Sequence, residues 1–89
     1  MRRPKKSKYK SVVIKKKRYY FYKITWLDIT GDSGHATAFD FMGFLPSIMV
    51  THAYLFNRDR KYVRTFASYE EGDELFSDRN VFPVGCVVK

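Results

Sequence analysis

The sequence predicts an all-β domain, a small five-stranded barrel with one short helix after the first strand. Three observations predict it. Apolar and polar residues alternate at period two through several runs. Turn-forming residues recur about every 8–12 positions, the spacing of sandwiches and barrels. Aromatic residues make up 18% of the chain, seven Tyr and eight Phe among them, which suits β surfaces packed by large side chains. With 89 residues there is room for one small domain. Closing the sheet into a barrel would remove edges through which a short β protein pairs with others.

Residues 1–18 hold ten of the seventeen Lys and Arg and no acid. The remaining seven basic residues face all nine acids in 19–89, so the body carries about −2 and the leader +10. We therefore divide the chain into a basic N-terminal arm, 1–18, and a β-barrel domain, 19–89. Inside the arm, Ser11-Val12-Val13-Ile14 is long enough for a short edge strand.

The first strand of the body is Tyr19 to Ile29, with Tyr20, Tyr22, Ile24 and Trp26 on one face. Phe21, Lys23, Thr25 and Leu27 form a mixed second face, half-exposed in its first part. A short helix follows over 37–45. Thr37 caps its start, Asp40 completes a capping-box pattern, and Phe39, Met42 and Leu45 share a stripe. Gly43 weakens the helix and Pro46 ends it. Ser47 to Asn57 reads as the second strand, Asn57 to Arg60 as a polar turn, and Lys61 to Tyr69 as the third strand. Val63, Thr65 and Ala67 give that strand a small inward face. Glu70 to Glu74 is an acidic turn. Pro83-Val84-Gly85 breaks the chain before a final short strand, Cys86-Val87-Val88.

Gly31-Asp32-Ser33-Gly34 spells the motif that surrounds the nucleophile of chymotrypsin-like proteases. Such enzymes need two barrels, and their histidine and aspartate precede the serine. Here His35 and His52 both follow it, so we read the stretch as a turn that ends a strand. No phosphate loop or paired carboxylates at diagnostic spacing are present, and the expectation is a protein that is not an enzyme and takes no cofactor. A metal site built on His35 with Asp28, Asp32 or Asp40 would need convergence that the spacing does not supply. The acidic turn lacks the alternation of a calcium loop.

A single cysteine, Cys86, sits among valines and reads as a small buried hydrophobe in a reducing compartment. No apolar run nears the ~20 residues that span a bilayer, and the basic N-terminus lacks an apolar signal core. These features lead to the expectation of a cytoplasmic protein without a membrane partner.

The order of these pieces is that of an SH3-like or Sm-like barrel. Lys23-Ile24-Thr25-Trp26-Leu27-Asp28, the helix ending at Pro46, and Val81-Phe82-Pro83-Val84-Gly85-Cys86-Val87-Val88 carry a further resemblance. Over residues 20–89 the chain resembles small phage and marine-metagenome proteins of unknown function with an Sm/LSm-like barrel. If it is phage-derived, the cytoplasm is that of the host. The resemblance implies contact with RNA or single-stranded nucleic acid. Sm proteins carry Arg-Gly in their second motif, whereas this chain has Val84-Gly85, and their first motif has no clear copy between Leu45 and Arg60.

Two clusters are candidates for contacting a polyanion. In the arm, Lys5, Lys6, Lys8, Lys15, Lys16, Lys17 and Arg18 would neutralise phosphates, with the alternative of a solubilising tail. In the body, Arg58, Arg60, Lys61 and Arg64 surround one hairpin whose strands carry Tyr54, Phe56, Tyr62 and Phe66. Basic and aromatic residues interleaved in this way suit a single-stranded nucleic-acid platform. The alternative is a structural or adaptor protein whose aromatic strand faces build a homo-oligomer or dock a protein.

Overall fold

A computed structural model of the chain describes residues 5–88, for 5–9 the backbone alone. The described residues are mostly β. In chain order they form β1 (Lys5–Ile14), β2 (Lys17–Asp28), α1 (Ala38–Met42), β3 (Ser47–Arg58), β4 (Tyr62–Phe66), β5 (Ser68–Tyr69), β6 (Phe76–Ser77) and β7 (Asn80–Pro83). A 3-10 turn, Val84–Cys86, follows.

β1, β2, β3, β4 and β7 make one antiparallel sheet in that order, and β5 pairs with β6 in a separate ribbon. The sheet does not close into the expected barrel. Its outer strands are β1 and β7. Residues 86–88 were expected as a closing strand. Val84–Cys86 instead coils, and Val87 meets Trp26 of β2 in a single bridge. The Val88 N–H donates to the Thr25 carbonyl at 2.7 Å beside that bridge. Pro83 enters the coil at φ −60°, its ring fixing that angle, and the strand is spent before a full ladder can form.

Residues 5–14 are not an appendage to the sheet. They are its edge strand, and the four-residue strand expected at 11–14 is the C-terminal part of a ten-residue one. Val12 and Val13 are β-branched and favour the extended chain. The link to β2 is two residues long, and both Lys15 (φ 50°) and Lys16 (φ 70°) are left-handed, as a type I′ hairpin turn requires. Ile14 is buried and anchors the hairpin. The exposed Lys10 also blunts this edge against pairing with another chain.

The sheet buries apolar groups on both faces. The first core is Tyr22, Ile24, Val63, Phe82 and Val87, with Tyr20, Trp26, Leu55 and Val84 packed against it. This confirms the Tyr20-to-Trp26 face of β2 and the inward Val63. Trp26 donates its indole N–H to Thr51 Oγ1 at 2.9 Å and packs on Phe82. The second core is Ile14, Tyr19 and Phe66, joined by Val12, Tyr54, Phe56 and Phe76. It covers the start of β2 at Tyr19, where the β5–β6 ribbon brings Phe76 to within 5.8 Å of the Tyr19 ring and 4.7 Å of Phe66, while Phe21 stays half-buried and Lys23 exposed, as expected. A register shift between Leu55 and Asn57 sets Phe56 onto that same core, stacked on Tyr19.

The helix starts as the sequence indicates: the Asp40 N–H donates to Thr37 Oγ1 at 3.1 Å. Its expected apolar stripe meets nothing, and no residue of α1 is buried. Residues 29–50, the link between β2 and β3 with its flanks, are exposed throughout.

Candidate nucleic-acid interface

Antiparallel pairing fixes where the charged turns lie. β2 begins at the end of the β2–β3 ladder where β3 finishes, so the β1–β2 and β3–β4 turns leave that end and the 29–46 link leaves the other. Lys15, Lys16, Lys17 and Arg18 are exposed at the first turn, and Arg58, Arg60 and Lys61 at the second. Arg18 donates to Ser11 Oγ at 2.6 Å across the hairpin. Lys17 Nζ stands 5.5 Å from the centre of the Tyr19 ring. The side chains of Lys5, Lys6 and Lys8 lie outside the described residues.

The β3–β4 turn is shaped by Asp59. Its Oδ1 accepts the backbone N–H groups of Lys61 and Tyr62, each at 2.8 Å, and Oδ2 accepts from Arg64 at 3.0 Å. Those bonds, the backbone pair first and Arg64 next, hold the Asp59 carboxyl at about 2. Arg64 also donates to Asn57 Oδ1 at 3.0 Å, so its guanidinium is fixed in place and lies 5.3 Å from the Tyr62 ring. Tyr62 is 40% exposed.

Arg64 then forms one wall of a groove. Between β4, β7 and the β5–β6 ribbon lies a cavity of about 450 Å³, lined by Phe56, Phe66, Phe76, Val81, Arg64 and Arg79 among others. Its lining combines the half-buried Phe56 and Phe76 and the buried Phe66 with two arginines. Among the described residues Arg79 makes no ion pair or hydrogen bond. Its neighbour Asp78 is engaged by the Ser68 hydroxyl at 2.6 Å instead.

Of the residues the sequence singled out, Arg64 lines this concavity, and Tyr62 lies beside Arg64. The reading does not hold for Tyr54, which is half-buried, stacked on Phe66 at 5.4 Å and edge-on to Phe21 at 5.1 Å. A ring packed on both sides has no free face for a base. Sequence reasoning named Phe56 but missed Arg79 and Phe76 as groove residues. Arg79 is the one cation between Ala67 and Val88, and its isolation in an acidic stretch was the available signal.

The other candidates fall elsewhere. Ser33 and His35 sit on the exposed 29–37 stretch, where the Gly34 N–H donates to Asp32 Oδ1 at 2.7 Å in a local turn. His52 is exposed on β3, opposite Lys23 and stacked near Phe21. Neither histidine bonds to Ser33 among the described residues. No group of three His, Cys, Asp or Glu among the described residues is arranged to hold a metal ion. Cys86 is half-buried. Glu70 to Glu74 cap the β5–β6 ribbon, with Gly72 at φ 77°. Burial, and after it the charge of Glu74, raises the Tyr19 hydroxyl pKa. Among the described residues no helix is long and apolar enough to cross a membrane.

Comparison with known protein families, with curated proteins and with solved structures finds no match. Function must therefore be argued from the residues themselves.

Proposed function

We propose that the chain is a small binding module for single-stranded nucleic acid, with the sheet as an open relative of the SH3-like or Sm-like barrel. The groove carries the proposal: the half-buried Phe56 and Phe76 line it over the buried Phe66, Arg64 and Arg79 line it too, and Tyr62 lies beside Arg64. An unpaired base has two apolar faces and a polar edge, and a concavity of this size and lining takes one against the rings. The guanidinium groups reach phosphates bidentately. Lys15, Lys16, Lys17, Arg18, Arg58, Arg60 and Lys61 add sequence-independent attraction at the turns. The open bridge at Trp26 and Val87 supports the barrel relationship.

The test is fluorescence anisotropy of labelled single-stranded RNA and DNA oligonucleotides, titrated with the full chain at several salt concentrations. Saturable binding that weakens with salt is expected, and the Arg64→Ala/Arg79→Ala pair should weaken it by at least about tenfold, the loss of one or two charge-assisted contacts. Equal binding by the pair, or no binding at low salt, contradicts the proposal.

A further inference from the structure

Among the described residues, ten of the sixteen exposed large apolar side chains fall between Leu27 and Val50. Ile29 is 90% exposed, Phe39 87% and Phe41 68%. The segment is nonetheless shaped. Thr30 Oγ1 donates to the Leu45 carbonyl at 2.8 Å, closing the link, and Thr37 caps α1. It stands apart from both cores: every residue from 29 to 50 is exposed and none of them joins either cluster.

Taking ~150 Å² for a fully exposed large side chain, the nine other than Met49, which pairs with Trp26 on the opposite sheet face, present roughly 900 Å² of apolar surface. A stable interface needs about 800 Å² from each partner, and a monomer's largest apolar patch is usually about 300–600 Å². The charge narrows the occupant. From Leu27 to Thr51 there is no Lys or Arg, while Asp28, Asp32 and Asp40 are present. Such a surface repels phosphate, whether of a nucleic acid or of an anionic lipid headgroup. The segment also carries both halves of a contact. Phe39 stands out, and a cleft of about 530 Å³ beside it is lined by Ala36, Phe41, Phe44, Asp32 and His35. Knob and hole on one patch are what a two-fold contact between identical surfaces requires.

We infer that residues 27–50 are a dimerisation arm and that its occupant is the same arm of a second copy. Phe39 of each copy enters the cleft of the other against Phe41 and Phe44, with Asp32 and Asp40 lining the same cleft. The arms meet at the end of the β2–β3 ladder opposite the basic turns, so the dimer presents those turns at its two outer ends. This inference stands apart from the nucleic-acid reading and survives its failure.

Sedimentation equilibrium of the full chain at micromolar to several hundred micromolar concentration, at low and high salt, tests it. The expected mass is twice 10.6 kDa. Because each arm brings three carboxylates and no cation, dimerisation should strengthen with salt, the reverse of phosphate binding. The Phe39→Asp/Phe41→Asp chain should be a monomer with unchanged circular dichroism, since α1 buries no residue. Val13→Asp, at an exposed site on β1, should remain a dimer. A monomeric parent at the highest concentration, a dimer that survives the double substitution, or an open series of larger species overturns the proposal.

Discussion

Asp59 Oδ2 lies 3.0 Å from Nη1 of Arg64, a residue that lines the aromatic groove. The pair couples the β3–β4 turn to the proposed binding surface and subtracts a charge from it. Asn at 59 keeps an acceptor for the Lys61 and Tyr62 N–H groups, and Asn57 still holds Arg64. Asp59→Asn should therefore tighten oligonucleotide binding at low salt and steepen its salt dependence. Anisotropy measures both, and weaker binding would show that the ion pair orients Arg64 productively. The pH behaviour follows from the same group. Its folded value, about 2, is below the unfolded ~3.9, so its stabilising contribution is complete above about pH 4 and is lost as pH falls through 2. Denaturant titrations between pH 5 and 2 should show a shallower acid loss for Asp59→Asn than for the parent.

Thr65 is 1% exposed and its hydroxyl has no hydrogen-bond partner. A buried hydroxyl without a partner costs about 1–3 kcal/mol. Thr65→Val keeps the shape and removes that cost. It should raise stability by about 1 kcal/mol, a rise in Tm of roughly 4–8 °C for a domain of this size. Thermal unfolding reads this, and a lower Tm would mean that the hydroxyl is satisfied in solution.

Lys15 and Lys16 hold left-handed conformations that cost ordinary residues about 1–2 kcal/mol each. Lys15→Asn/Lys16→Gly supplies the dipeptide that a type I′ turn favours. It should stabilise the hairpin by about 1 kcal/mol and lower the salt slope of single-strand binding by about 1.4, two phosphate contacts at ~0.7 each. A gain in stability with no change in slope would remove the turn lysines from the interface.

Much of the fold was legible in local pattern. Period two placed β2 and β3, the Thr37 hydroxyl started the helix, and Val63 and Ile24 fell inside. What was not legible depended on distant partners. The burial of Tyr19 was not legible because nothing at the start of β2 says that Phe76 will fold back over it. Residues 11–14 announced a strand, but charge dominated the reading of their flanks, and a lysine-rich edge strand has the same composition as a solvated tail. The helix stripe followed the rule for a core and met no core. The same limit applied to the site. Arg64 and Tyr62 were found because they lie two apart in one strand, whereas Arg79 reaches the groove only through the β4–β7 pairing.

The most direct test of the central claim is a two-dimensional amide NMR titration of the full chain with a short single-stranded oligonucleotide. The account predicts that shifts concentrate at Tyr62–Phe66 and Phe76–Val81, with smaller changes at Lys15–Arg18. Shifts confined to residues 27–50, or none at saturating oligonucleotide, would contradict it.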